Sequence, residues 1–162
     1  MQAVIPIRRK QRSGKIVNIT SIRGRMAVPF HSGYHGTKFA VEGLSESTRY
    51  ELESFGIKII LIEPGAVGSS FWRNMKKAAK TSSLDINSPY AQMANNMSEA
   101  QKQMAENSMH PSEVAKVILQ AVTSDNPDYR YVVGKDAAMS LEARRNMSDR
   151  EFGTLIKKQL NL

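Results

Sequence analysis

Tyr34 and Lys38 stand four residues apart in Tyr34-His35-Gly36-Thr37-Lys38, and Ser21 lies thirteen residues upstream of the tyrosine. On a helix, residues four apart share one face and their side chains meet. A phenol beside an ammonium, with a hydroxyl supplied from elsewhere, is a set for moving a proton to or from the oxygen of a carbonyl or an alcohol. A free tyrosine titrates at about pH 10, too high for acid–base work at neutral pH. A neighbouring cation favours the phenolate and lowers that value, which is the service expected of Lys38. Ser21 is expected to hydrogen-bond the same substrate oxygen and hold it within reach. Tyrosine and lysine at this spacing also recur by chance on exposed helices. What separates them from a surface pair is Ser21 and the elements around all three.

Those elements read as a strand, a helix and a second strand. Ile16, Val17 and Ile19 make Lys15–Thr20 a short β-branched run that fits a buried strand, with Ser21 directly after it. Residues 22–31 read as a loop with Gly24 and Pro29. From Ser32 to Phe55 the chain reads as a long helix, with Phe39, Ala40, Val41, Leu44, Leu52 and Phe55 as its apolar positions. Gly33, Gly36 and Gly43 lower its propensity and permit close approach of another backbone or a cofactor, and Gly56 closes it. Ile57–Ile62 is a near-continuous aliphatic run, as buried parallel strands are. A βαβ unit is right-handed, and ligands bind at the carboxyl ends of its strands. Ser21 follows the first strand, Pro64-Gly65 follows the second, and Tyr34 opens the helix between them. All three groups therefore converge on one edge of the sheet.

The flanks complete an α/β pattern. Residues 1–11 read as the end of a helix, with Pro6 as a kink or late turn and Ser13-Gly14 as the break. His110-Pro111-Ser112-Glu113 opens a helix carrying Val114, Val117, Ile118, Ala121 and Val122. Tyr129–Val133 reads as the last strand, and one or two helices are expected around Leu141, Phe152, Leu155 and Ile156. No internal repeat and no second domain is visible, so residues 1–162 are expected to form a single domain.

Gly14-Lys15-Ile16-Val17-Asn18-Ile19-Thr20-Ser21, then Tyr34-x-x-x-Lys38, then Pro64-Gly65-Ala66-Val67-Gly68-Ser69 resembles the short-chain dehydrogenase/reductase family, in register from residue 1 to about residue 135. The resemblance implies a three-layer, Rossmann-like, doubly wound parallel sheet. It implies NAD or NADP as cofactor and a small-molecule alcohol or carbonyl as substrate. Tyr34, Lys38 and Ser21 would be catalytic, with Ser21 and Tyr34 touching substrate. Tyr34, Lys38, Pro64, Gly65, Val67 and Ser69 would meet the nicotinamide end of the cofactor, Ser69 standing where the family usually has threonine. Residues of about 70–109, polar and rich in Met, Gln and Asn, correspond to the family's variable substrate-covering segment. Family members usually form dimers or tetramers through the helix bearing the tyrosine and the one ending near Lys10.

The family's glycine-rich turn is missing: neither Gly-x-x-x-Gly-x-Gly nor Gly-x-Gly-x-x-Gly occurs, nor does Asn-Asn-Ala-Gly. The asparagine usually added to the catalytic set would precede Met1. An N-terminally truncated form of the fold is therefore expected, impaired in cofactor binding when isolated. A truncated, non-catalytic paralogue that acts as scaffold or regulator of intact subunits is the competing expectation.

Composition narrows the rest. At 41% hydrophobic and 23% charged residues the chain has the make-up of a soluble globular protein. The absence of cysteine excludes disulfides and thiolate metal sites. No apolar run approaches the roughly 18 residues of a membrane span, and the basic residues follow rather than precede the first apolar ones; a cytoplasmic location is expected. The net charge of +8 raises nucleic-acid binding, but Arg8, Arg9, Lys10 and Arg12 at a helix end suit the carbonyl end of its dipole, so none is expected. His31 and His35 flank Tyr34 without a carboxylate to complete a ligand set, so no metal site is expected; they line the pocket, rim it, or face solvent. Met93, Met97, Met104 and Met109 fit either a flexible apolar lid or ordinary helix packing. Arg23 and Arg25 suit a substrate carboxylate, although solvated loop positions are the simpler expectation.

Overall fold

A computed structural model of the chain describes residues 1–78 and 87–161. The described helices are α1 (Ile5–Gln11), α2 (Ser32–Leu52), α3 (Phe71–Ala78), α4 (Ala91–Glu106), α5 (Pro111–Thr123), α6 (Lys135–Asn146) and α7 (Asp149–Gln159). The strands β1 (Gly14–Ile19), β2 (Ile57–Pro64) and β3 (Arg130–Val133) form one parallel sheet in the order β1-β2-β3. Gly14 lies opposite Ile57 and Ile19 opposite Ile62, while Pro64 lies opposite Val133. The aliphatic run is thus the central strand, and Ile60, Leu61 and Ile62 are wholly buried.

Alternation along β2 distributes the core. Ile57 and Ile59 pack with Leu52 and Ile5, from α2 and α1. Ile60 and Ile62 pack with Val114 and Ala121 of α5 on the opposite face. Helices cover both faces, which gives the expected three layers and doubly wound arrangement. Leu141 and Phe152, from α6 and α7, close on Ile22 and Met26 of the loop after β1. Among the described residues no helix is long and apolar enough to cross a membrane.

Two expectations are corrected. The first helix ends at Gln11, as expected, but starts only at Ile5, and Pro6 sits in its first turn instead of kinking it. A helix start leaves that N–H unpaired in any case, so proline is harmless there. Secondly, the apolar positions of α2 do not all face the core: Phe39 is 45% exposed and Leu44 59%, whereas His35, Glu42, Ser45 and Leu52 are buried. Polar side chains of the sheet explain this inversion. Asn18 of β1 donates to Ser45 Oγ at 2.9 Å, and a buried Glu63 on β2 faces the same helix layer. A Cβ at Gly33, Gly36 or Gly43 would meet nothing within 4 Å, so nothing among the described residues uses their small size. The segment of about 70–109 carries α3 and α4 among its described residues; residues 79–86 lie outside the described residues.

Candidate active site

Ser21 is placed by the end of β1. Its neighbour Thr20 donates through both N–H and Oγ1 to Ile62 O, at 2.8 and 3.1 Å, which pins the strand end to β2. Ser21 then caps the 3₁₀ turn Ile22–Gly24: its Oγ accepts from the Arg23 N–H at 3.2 Å and donates to Pro64 O at 3.4 Å. One hydroxyl therefore spans the exits of β1 and β2.

Tyr34 occupies the first turn of α2, its ring 5.3 Å from that of Phe71. Lys38, one turn on, has Nζ 5.7 Å from the centre of the Tyr34 ring and donates to Ile19 O at 3.1 Å. The ammonium is thereby held between the phenol and the end of β1. Burial lowers the Lys38 pKa from its ordinary value, opposed by the Glu42 carboxylate.

The loop from 22 to 31 is fastened to α2 by histidines. His35 Nδ1 donates to Arg23 O at 3.3 Å and Nε2 accepts from the Val28 N–H at 3.0 Å. His31 Nδ1 donates to Pro29 O at 3.0 Å, and its Nε2 accepts from Gln101 Nε2 of α4 at 2.9 Å. Burial holds both imidazoles below their usual pKa, in the neutral form these bonds require. Both histidines border the pocket, one of the arrangements left open above. Gly24 completes the fastening, because a Cβ there would lie 2.7 Å from Glu42 Cγ and 3.0 Å from Lys38 O. Gly24→Ala is expected to push the loop off α2 and to lower stability by about 1–3 kcal/mol, read as a lower urea midpoint at unchanged slope.

The turn after β2 is stitched from several sides. Gly65 N–H donates to Val133 O at 2.9 Å and Ala66 N–H to Asp136 Oδ2 at 2.9 Å. Val67 forms a parallel bridge with Met109, and Val67 O accepts from Trp72 Nε1 at 3.0 Å. Ser69 Oγ accepts from the Phe71 N–H at 3.3 Å and so opens α3. A Cβ at Gly65 would collide with the Asp136 carboxylate, which is the local reason for glycine at that position.

Ser21, Tyr34, Lys38, Pro64, Gly65, Val67 and Ser69 all border one cavity of about 270 Å³ at the carboxyl edge of the sheet. The structure therefore brings together every site residue expected from sequence. Trp72, Met97, Gln101 and Met104 also border it. Met97 is 3% exposed and Met109 packs in the α5 cluster, which favours ordinary helix packing for these two methionines.

Sequence reasoning missed two features. Asp136 borders the cavity and orders the turn; its signal was an acidic residue three positions after the last strand, at the same sheet edge. The other is an ion network under the site. Glu63, fully buried, meets Arg25 Nη1 at 3.2 Å and Arg130 Nε at 3.0 Å, the latter near enough for ion pairing though not aligned as a hydrogen bond. Arg130 also reaches Glu42 at 3.4 Å and Glu46 at 3.0 Å. Arg25 is thus a paired residue rather than a free loop cation, and Arg23 lines the cavity rather than standing in solvent.

The sequence model of the short chain dehydrogenase family matches residues 1–81. An uncharacterized oxidoreductase of Schizosaccharomyces pombe is 33% identical over 162 residues, 100% of this chain and 66% of that protein. Among solved structures, a short-chain dehydrogenase from Streptomyces avermitilis superimposes with a TM-score of 0.70 at 28% identity, covering 90% of this chain and 50% of that one. A short chain dehydrogenase/reductase from Burkholderia phymatum in complex with NAD shares the fold, with a TM-score of 0.69 at 18% identity over 90% of this chain and 52% of that one. The chain thus spans 66% of the fission-yeast relative and about half of each solved structure. Sequence match, sheet order and cavity agree, and the chain belongs to the short-chain dehydrogenase family.

Proposed function

We propose that the protein carrying this chain interconverts an alcohol and a carbonyl compound with NAD or NADP, using Tyr34 as the acid–base group. One observation carries the reading: Tyr34, Lys38, Ser21 and the Pro64–Ser69 turn border a single cavity at the sheet edge where ligands bind in open parallel α/β folds. Bound cofactor supplies or accepts the hydride at the substrate carbon. In reduction Tyr34 gives a proton to the carbonyl oxygen, and in oxidation it takes the hydroxyl proton. Lys38, held near the ring by its bond to Ile19 O, sets a positive charge beside the phenol and would bind a ribose hydroxyl. Ser21 orients the substrate oxygen. Pro64, Gly65, Val67 and Ser69 would hold the nicotinamide end.

The fit is partial. These residues suit the nicotinamide end, and no glycine-rich turn for the pyrophosphate occurs in the sequence. Trp72, the sole tryptophan, borders the cavity and reports on its occupancy. Titrating the 162-residue chain with NADH is expected to leave Trp72 emission unsaturated through the micromolar range. Saturable micromolar binding would show that the cofactor is held by means other than those inferred here.

A second reading has its own support. The outward face of α2 carries Phe39, Leu44 and Tyr50, exposed by 45%, 59% and 61%, with open space beside Gly36 and Gly43. That face suits helix-to-helix association, either in a homodimer or tetramer or with an intact dehydrogenase that this chain would scaffold or regulate. Co-purification with such a dehydrogenase, together with indifference of every activity to Tyr34→Phe, favours the scaffold. A cytoplasmic location belongs to both readings.

A further inference from the structure

We propose that Arg23 makes the cavity an acceptor of anions, so that the substrate is a compact oxo- or hydroxy-carboxylate. The reacting oxygen would lie at Tyr34 and the carboxylate at the Arg23 guanidinium. Arg23 sits two residues after Ser21 in the 3₁₀ turn and borders the same cavity as Tyr34. Its Nη1 is buried and has no hydrogen-bond partner among the described residues. The contrast with its neighbours is informative. Arg25 and Arg130 are both ion-paired, to Glu63 and to the Glu42–Glu46–Glu63 group, whereas no described carboxylate lies within ion-pairing distance of Arg23.

Withdrawing the guanidinium from water is costly, and burial lowers the Arg23 pKa from its ordinary value, opposed by Tyr34 and by the Asp136 carboxylate. It stays charged at neutral pH all the same. The groups that face it do not satisfy it. His31 and His35 are neutral and committed to other partners, and Asp136, whose Oδ2 accepts from the Ala66 N–H, acts on the guanidinium from beyond ion-pairing distance. A planar carboxylate matches the guanidinium fork and supplies the missing partner.

Size and surroundings fix the class. Ligand pockets commonly measure about 300–1,000 Å³. At about 270 Å³ this one is small, and Val28, Trp72 and Met97 offer apolar wall to a short carbon chain. The inference rests on the dehydrogenase reading for the reacting carbonyl. In the reduction, hydride from NADH or NADPH bonds to the carbonyl carbon, Tyr34 gives the proton to its oxygen, and the carboxylate is unchanged. Recognition of the charge does not depend on turnover.

The test is therefore a binding experiment on the 162-residue chain, with Trp72 emission as readout and 4-oxopentanoate and 4-oxopentanamide as probes. The carboxylate is expected to bind at least about tenfold more tightly than the amide. Arg23→Met should remove that preference and Arg23→Lys should keep part of it, while the exposed Lys116→Gln should leave it intact. Equal affinities for the two probes, or a preference that survives in Arg23→Met, would overturn the proposal. If Arg23→Met loses its far-ultraviolet circular dichroism, the wild-type preference and its retention in Arg23→Lys decide the matter. A carboxylate preference dependent on Arg23 alongside turnover indifferent to Tyr34→Phe removes the dehydrogenase reading alone. Tyr34-dependent turnover with no carboxylate preference removes the anion site alone.

Discussion

Replacing Tyr34 by phenylalanine is expected to lower kcat of the catalytically competent protein by about 10²- to 10⁴-fold, the usual worth of a positioned acid–base group. Stability should barely move, because the contact with Phe71, ring centres 5.3 Å apart, does not need the hydroxyl. Substrate KM should also change little, since proton transfer is a service rendered only in the transition state. Lys38→Met should cost turnover as well, but with a different signature. It removes both the cation beside the phenol and the bond to Ile19 O, so it should weaken cofactor binding and loosen the end of β1 together. The measurement is steady-state kinetics in both directions, paired with a denaturation curve for each variant. A Tyr34→Phe enzyme within tenfold of wild type would remove the acid–base assignment.

The largest expected effect on stability lies beneath the site, at Arg130. Its guanidinium serves three carboxylates, and two of them, Glu42 and Glu63, belong to buried residues. Arg130→Met leaves those two facing each other with Arg25 as the remaining cation. Breaking a buried ion pair costs about 3–5 kcal/mol. The lower end, about 3 kcal/mol, applies here because the Arg130 side chain is 29% exposed. Glu63→Gln should cost less: the cations it releases are the partly exposed Arg25 and an Arg130 that keeps Glu42 and Glu46.

The pH dependence follows from Glu63. Burial, then Glu42, raises its pKa above the ordinary carboxylate value, against the pull of Arg25 and Arg130. A carboxyl raised in the folded state contributes stability below its unfolded pKa of about 4.3, and loses that contribution as pH climbs through the folded value. Taking Arg130 away lifts the folded value further. The deficit of Arg130→Met should thus be larger at pH 8 than at pH 5, measured by urea denaturation at both. A deficit that does not change with pH would show that Glu63 gains no proton in the variant.

Much of this was legible in the chain. Ile57–Ile62 announces a strand buried on both faces, and strand–helix–strand order alone puts Ser21, Tyr34 and Pro64-Gly65 on one edge. Gly56 marked the end of the long helical region, where it adopts a φ of 68°. What escaped notice depends on contacts between distant positions. Nothing in the sequence marks Glu42 as buried, because its partner Arg130 lies 88 residues away. Leu44 and Phe39 looked like core, because periodicity reports that a helix has an apolar stripe and not which side the sheet will claim. Arg23 and Arg25 were indistinguishable as letters. The 3₁₀ turn sends one towards the cavity and the other to a buried glutamate.

The bridge between Val67 and Met109 has a mechanical consequence. It ties backbone to backbone: Gly68 N–H donates to Met109 O and Met109 N–H to Ala66 O, at 2.9 and 3.0 Å. Met109 stands in the short connection between α4 and α5. A bulky guest that wedges α4 outward tugs Ala66–Gly68 along with it, so the roof of the chamber and the ledge beside Pro64 are geared together and a guest's girth is felt where the hydride would pass.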